Sequence, residues 1–339
     1  MIAAYLNQTG GSEVLEVGEL PTPEVSRGQV RVRLKYASLN HLDIWIRRGL
    51  PHLKLTYPHI LGADGAGLVD AVGEGVSRVS IGDQVIVHPG IRGDRSFQGV
   101  DSLAPGYRIL GENALGTNAQ YIVVPAENCF AFPSTLSLKE AATIALVFTT
   151  AWQMVVVRGQ LKAGEWVLVH SAGSGVGSAA IQIAKGMGAR VIATAGSDAK
   201  LGFAASLGAE SVVNYSEPDW EKKVRAIAKG GVHLIVDHLG EAFWEANLKC
   251  LAWGGRLVLC GATTGPKAQM DLRHVFFKQW QIMGSTMGSL DDFPKILRGF
   301  DAGTYRPVVD TEFELSDIRK AHQYVENRKQ FGKVLLIIP

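Results

Sequence analysis

Apolar and polar positions change their period part-way along the chain. From Gln29 to Leu34 they alternate, with Val30, Val32 and Leu34 on one face, the period of a half-buried strand. The stretches 67–73 and 84–87 read as strands too, joined through a turn at Gly82-Asp83. Short strands broken by glycine turns predict a mostly-β, barrel-like or sandwich-like domain over residues 1–145. Residues 88–120 are polar with weak periodicity and predict an extended loop or lobe.

From about residue 137 the pattern becomes helical and then alternates. Ser137-Leu138-Lys139-Glu140 places a hydroxyl and a carboxylate three residues apart, the spacing of a capped helix start. Apolar strands are predicted at 166–170, 191–195, 211–214, 234–237, 256–260 and 282–285, with helices at 176–187, 198–207, 219–229 and 242–252. Alternation of this kind makes a doubly wound parallel sheet covered on both faces, here over 146–289. The tail, 290–339, shows two short helical stretches and a last apolar run from Lys333 to Ile338. That run is expected to return to the first domain's sheet, so the fold class is α/β, with the parallel sheet inserted into the mostly-β domain.

Composition changes this picture little. At 339 residues, 47% of them hydrophobic, there is material for two cores. A net charge of +2, with basic residues scattered rather than striped, argues against nucleic-acid binding. Cys129, Cys250 and Cys260 stand at no metal-ligand spacing and are expected to be buried, reduced thiols. The N-terminal residues lack a basic stretch followed by a long apolar one, and no run approaches the ~18 apolar residues of a membrane span. A cytoplasmic protein is expected.

The strongest motif is Ala172-Gly173-Ser174-Gly175-Val176-Gly177. It follows an apolar strand and opens a helix, so its glycines permit a tight turn and bring backbone N–H groups, with the helix's partial positive charge, against a pyrophosphate. A flexible strand–helix turn is the plainer reading, but the repeated strands and helices that follow favour a dinucleotide site of Rossmann type. Cofactor choice is read at the end of the second strand, where an NAD site places an acid about 20 residues on. Here Ala193-Thr194-Ala195-Gly196-Ser197 has none, and Lys200 follows one turn into the helix, where an ammonium can pair with a 2′-phosphate. Asp198 reads better as a helix cap, and NADP(H) is favoured.

These residues, with Asn40-His41-Leu42-Asp43, Arg47-Arg48-Gly49, Leu61-Gly62-Ala63-Asp64-Gly65-Ala66-Gly67, Val72-Gly73-Glu74-Gly75-Val76 and Gly82-Asp83-Gln84-Val85, make the whole chain resemble the medium-chain dehydrogenase/reductase superfamily. The resemblance is nearest to its zinc-type alcohol dehydrogenase-like and quinone oxidoreductase branches. It implies a GroES-like β domain, an inserted Rossmann domain and a short return.

Zinc-dependent members hold their catalytic metal through two Cys and a His. The matching positions here are Asn40, Ala63 and Leu146, and none replaces a thiolate or imidazole. The structural-zinc lobe matches about residues 90–118, which contain no cysteine. Both zinc sites are therefore read as absent, although His41, Asp43, Asp64 and Glu112 leave an oxygen-rich weak metal site open.

The resemblance implies a zinc-independent reductase that moves hydride from NADPH to a quinone or conjugated carbonyl. It places Asn40, Asp43 and Asp64 at the substrate, and Thr150 at the nicotinamide. Ser197, Lys200 and Tyr215 match the 2′-phosphate positions, and Cys260-Gly261-Ala262 with Gly284-Ser285 the ring end. Where many relatives carry a tyrosine proton donor, this chain has Trp45, which leaves His41 as the nearest titratable group; a structural hydrogen bond is an equal reading for it. The alternatives are an alcohol or aldehyde dehydrogenase with a residual metal site and a non-catalytic NADPH-binding protein. The apolar edge strand near residues 281–286 suggests a homodimer, with a tetramer as the other assembly.

Overall fold

A computed structural model describes residues 1–51 and 53–339. The chain divides into two compact units: one of residues 1–146, 289–301 and 307–339, the other of 147–288 and 302–306. The first begins with strands β1 (Ile2–Leu6), β2 (Leu15–Glu19) and β3 (Gln29–Leu39), helix α1 (His41–Arg48), then β4 (His59–Ile60), β5 (Asp64–Val72), β6 (Gln84–Val87), β7 (Gly90–Ile91), β8 (Arg108–Ile109), β9 (Tyr121–Pro125), β10 (Cys129–Phe130) and helix α2 (Leu138–Ala141). After helix α3 (Ala145–Trp152), the second unit runs β11 (Trp166–Val169), α4 (Gly175–Gly186), β12 (Arg190–Ala195), α5 (Asp198–Leu207), β13 (Ser211–Asn214), α6 (Trp220–Ile227), β14 (Val232–Asp237), α7 (Trp244–Cys250), β15 (Leu251–Leu259), α8 (Leu272–Lys278) and β16 (Gln281–Gly284). The return comprises α9 (Phe293–Asp301), β17 (Val309–Glu314), α10 (Ile318–Glu326) and β18 (Lys333–Ile337).

In the first unit the main sheet runs β10-β6-β5-β3-β18-β17, with β9 also on β3. The alternation that predicts β3 is borne out: Val30, Val32 and Leu34 are fully buried, each contributing about 1.5–3 kcal/mol by leaving water. The return is borne out as well, since β18 pairs antiparallel with β3, Val334 opposite Leu39. Gly67 belongs where β5 crosses β3, because a Cβ there would lie 2.1 Å from the Arg33 carbonyl oxygen.

The stretch 88–120 is more ordered than a loop. It contains the β7–β8 ribbon, and Arg92 gathers Asp101, Glu127 and Asp291 around its guanidinium, at 3.3, 3.8 and 2.5 Å. Asp101 in turn accepts from the Ser289 hydroxyl and the Leu290 N–H, at 2.9 and 3.0 Å. Among the described residues, charge pairing thus holds the lobe to the returning chain.

The second unit is a six-stranded parallel sheet of order β13-β12-β11-β14-β15-β16. The predicted helix at 242–252 ends sooner: Leu251 already belongs to β15, because the apolar Leu251-Ala252 pair buries beside β14 rather than extending a helix face. In the second unit a π-helical turn at residues 153–158 and helix α8 carry no sequence expectation. No helix of the described residues is long and apolar enough to cross a membrane.

Candidate active site

Three strand ends of the first unit meet at one buried cluster. β3 closes at Ser38 and Leu39, β5 opens at Asp64 opposite Ser38, and β18 opens at Lys333 beside them. Asn40 follows β3 as the N-cap of α1, in extended backbone conformation. The Lys333 ammonium donates to Asn40 Oδ1 at 2.5 Å and to Asp64 Oδ2 at 2.7 Å. Asn40 Nδ2 donates to the same Asp64 oxygen at 2.9 Å. The other carboxylate oxygen, Oδ1, accepts the Leu146 backbone N–H at 2.7 Å. The Ser38 hydroxyl lies 3.4 Å from Asp64 Oδ2, and the Thr117 hydroxyl donates to the Asp64 carbonyl at 2.8 Å.

Such a pair is costly to take out of water and costly to break. Losing one member leaves a bare buried charge, on the order of 3–5 kcal/mol. Asp43 stands one layer behind. Its Oδ2 accepts the Asn40 N–H at 2.7 Å and its Oδ1 the Gly62 N–H at 2.9 Å. Burial pushes its carboxyl up to about 6, against the pull of those N–H groups and of Lys333.

His41 is not part of this cluster. Its ring meets Trp45 edge-on at 5.1 Å, and burial, with help from Arg328 and Arg48, holds it below the usual histidine range. It makes no hydrogen bond to Asn40, Asp43 or Asp64, and its ring contact is with Trp45.

In the second unit the expected cofactor residues gather at the carboxyl ends of the parallel strands, where ligands of such sheets bind. Residues 172–177 follow β11, Ser197 follows β12, Tyr215 follows β13, Cys260 to Ala262 follow β15, and Gly284 and Ser285 end β16. Ser174 caps α4, accepting the Gly177 N–H at 2.9 Å, and leaves the amides of Gly175 and Val176 ahead of the first intrahelical bond. Gly177 has no alternative, because a Cβ there would come 2.4 Å from the Ser171 carbonyl oxygen. A Cβ on Gly173 would strike the Lys200 side chain at 2.8 Å, and one on Gly196 the Tyr215 ring at 3.0 Å, so Lys200 and Tyr215 flank the loop that Ser197 ends. Thr150 on α3 lies with its hydroxyl 3.9 Å from the Met287 sulfur.

Residues 26–134 match the alcohol dehydrogenase GroES-like domain, and residues 175–302 the zinc-binding dehydrogenase family. The chain is 32% identical to a zinc-type alcohol dehydrogenase-like protein of Schizosaccharomyces pombe over 98% of its own length and 97% of the relative's. It belongs to the medium-chain dehydrogenase/reductase superfamily. Similarity also extends to the quinone oxidoreductase of Sus scrofa, 28% identical over 100% of this chain and 98% of that one. Among solved structures, an NAD-dependent alcohol dehydrogenase superposes with a TM-score of 0.96 at 48% identity, each chain fully covered.

Membership in this superfamily implies a nicotinamide dinucleotide, and the second unit fits one. The Ser285 hydroxyl is buried at the strand ends without a hydrogen-bond partner among the described residues, and the glycine cradle excludes side chains where a pyrophosphate needs room. Zinc fits less well. Asn40, Ala63 and Leu146 offer no thiolate or imidazole, and an ammonium already bonds the amide and the carboxylate that remain. No group of three His, Cys, Asp or Glu side chains among the described residues could hold a metal ion.

Lys333 is the residue that sequence reasoning passed over. It reads as the first position of an apolar strand, and its only signal is a charge where the strand enters a buried sheet. His238 was missed likewise; its Nε2 lies 3.4 Å from the Ser174 hydroxyl at the glycine loop.

Proposed function

We propose that this protein is a zinc-independent, NADPH-dependent reductase of quinones or α,β-unsaturated carbonyl compounds. One observation carries the reading: the positions expected to ligate metal hold Asn40, Ala63 and Leu146, and converge on the Asp64–Lys333 pair. Without a Lewis acid, a substrate whose conjugated system spreads the incoming charge is the kind that fixed hydrogen-bond donors can still activate. The bound nicotinamide supplies hydride at C4.

The chain's own residues bind and orient. Residues 173–177 receive the pyrophosphate on backbone N–H groups, Lys200 with Ser197 and Tyr215 receives the 2′-phosphate, and Thr150, Cys260 to Ala262 and Ser285 line the nicotinamide end. Asn40 and Asp64 belong to the substrate site, and Asp43 fixes the turn that carries Asn40. The quinone oxidoreductase relatives support this substrate class.

The similar NAD-dependent alcohol dehydrogenase favours a second reading, a dehydrogenase of alcohols or aldehydes that uses NAD. Following NADPH and NADH absorbance against a 1,4-quinone, a 2-enone and an aldehyde, with and without chelator, separates the two. Oxidation of NADPH by quinone or enone, unchanged by chelation, is expected. Turnover of the aldehyde alone, lost on chelation, would overturn the first reading. The same protein is proposed to be a homodimer through the edge strand β16, beside which Leu272, Phe276 and Phe277 of α8 are exposed. Sedimentation at dimer mass checks it.

A further inference from the structure

We infer that the Lys333 ammonium takes the place of a metal ion in this site, donating the proton that the reduced substrate's carbonyl oxygen acquires. The inference rests on the reductase reading above and adds a catalytic residue to it.

The first argument is convergence. Asn40 bonds the ammonium directly through Oδ1. Asp64, the neighbour of Ala63, bonds it through Oδ2, and holds the Leu146 backbone through Oδ1. Of the three positions that would surround a metal, Asn40 thus bonds a cation supplied by the chain itself, and Leu146 and the residue after Ala63 are linked to it through Asp64.

The second argument is a count of donors. An ammonium has three N–H groups, and two are spent on Asn40 and Asp64. The third has no acceptor among the described residues. Asn40 has no equivalent to offer, since Nδ2 faces Asp64 and, at 3.5 Å, the Ser38 carbonyl. With a cation at its Oδ1, the amide cannot turn over to expose a different group. Asp64 can only accept, and both its oxygens are engaged.

The third argument is access and charge. Asp64 and Ser38 are 0% exposed and Asp43 1%, whereas Asn40 keeps 6% and Lys333 4%. Most of the surface the cluster retains belongs to the residues Asn40 and Lys333. The ammonium bonds one carboxylate and one neutral amide, with the Asp43 carboxyl within electrostatic reach, so its charge is balanced for burial. A donor held this way needs no reorganisation when negative charge develops.

In the step proposed, the β-carbon of an enone would receive a hydride, with both its electrons, which bound NADPH would supply on becoming NADP+. The C=C electron pair moves toward carbonyl carbon and the C=O pair moves onto oxygen. A Lys333 N–H bond breaks as the O–H bond forms, giving an enol that becomes the saturated ketone. The neutral amine takes a proton back from water. A quinone follows the same balance, one hydride and one proton yielding the hydroquinone.

The test uses two variants, because removing Lys333 alone strands the Asp64 charge. Lys333→Arg keeps the ion pair but offers a guanidinium that does not give up its proton. Lys333→Met combined with Asp64→Asn removes both charges together. With a quinone and an enone, kcat is expected to fall at least about 100-fold in both, the scale of a lost general acid, while NADPH affinity by fluorescence stays within about twofold. Lys333→Ala, if folded, should recover rate on addition of ethylammonium, in proportion to its concentration. A folded, NADPH-binding variant of either kind that keeps kcat within about threefold of wild type would overturn the role of Lys333 alone. A wild-type protein that oxidises NADPH with none of the acceptors would overturn the reductase reading, and the lysine's role with it.

Discussion

Asp43 Oδ1 accepts the backbone N–H of Gly62 at 2.9 Å, tying the first turn of α1 to the loop that delivers Asp64. The same carboxylate accepts the Asn40 N–H through its other oxygen, so both halves of the cluster hang on one side chain. Asp43→Ala leaves two backbone donors without acceptors and is expected to cost about 2–4 kcal/mol, lowering the melting temperature by several degrees. The pH dependence has a definite sign. Burial raises this carboxyl from 3.8 to about 6, so the folded chain holds a proton that the unfolded chain gives up. Its contribution is fully present below about pH 4 and is lost as pH rises through about 6. Denaturant midpoints of wild type should therefore decline relative to those of Asp43→Asn across that interval. Parallel curves would show that Asp43 does not titrate there.

Lys200 is where the cofactor choice can be tested. Its side chain lies against Gly173, and no carboxylate ends β12. Lys200→Ala is expected to weaken NADPH about 10-fold, close to the 1.5 kcal/mol of a charge-assisted hydrogen bond, and to leave NADH nearly unchanged. Equal losses for both cofactors in a fluorescence titration would remove the 2′-phosphate assignment.

Gly177 sets how closely α4 approaches β11. A methyl group there meets the Ser171 and His170 carbonyl oxygens, at 2.4 and 3.0 Å. Gly177→Ala should force the helix start outward, destabilise the second unit by about 1–3 kcal/mol and raise the dissociation constant for either dinucleotide. Calorimetry with and without NADPH measures both effects, and a variant that binds like wild type would show that the loop tolerates the shift.

Burial raises all three cysteine thiols, Cys129, Cys250 and Cys260, to about 12. The thiolate is the reactive form, so at pH 8 the buried Cys129 and Cys250 should react slowly with iodoacetamide in the native protein and label fully only on unfolding, whereas Cys260, expected to be buried, is half-buried in the structure. Rapid labelling of Cys129 or Cys250 in the native protein would contradict their burial.

What could be read from the chain beforehand followed from local physics. The alternation at Val30, Val32 and Leu34 announces β3, and the strand before Gly173 with the helix after it announces the dinucleotide loop. Helix α8 stayed hidden because Leu272, Phe276 and Phe277 face outward, so its apolar residues trace no core-facing stripe. The N-terminal β1–β2 pair and β17 went unmarked as well, for their burial follows partners elsewhere in the chain. Asn40 and Asp64 stood out by resemblance, yet their partner did not. Lys333 acquires meaning only when β18 is laid beside β3, and no local pattern encodes a pairing across 293 residues.

That distance has a consequence for how the protein is born. The strand that completes the first unit's sheet is made after the whole inserted unit, so the second half of β3, residues 36–39, waits through its synthesis without the β18 partner it has in the finished sheet. Asp64 likewise waits without its counter-charge. A ribosome-bound chain halted before residue 333 should carry a folded, dinucleotide-competent second unit beside a first unit still lacking its closing strand. Chemical competence then appears at once, late, with the arrival of a single lysine.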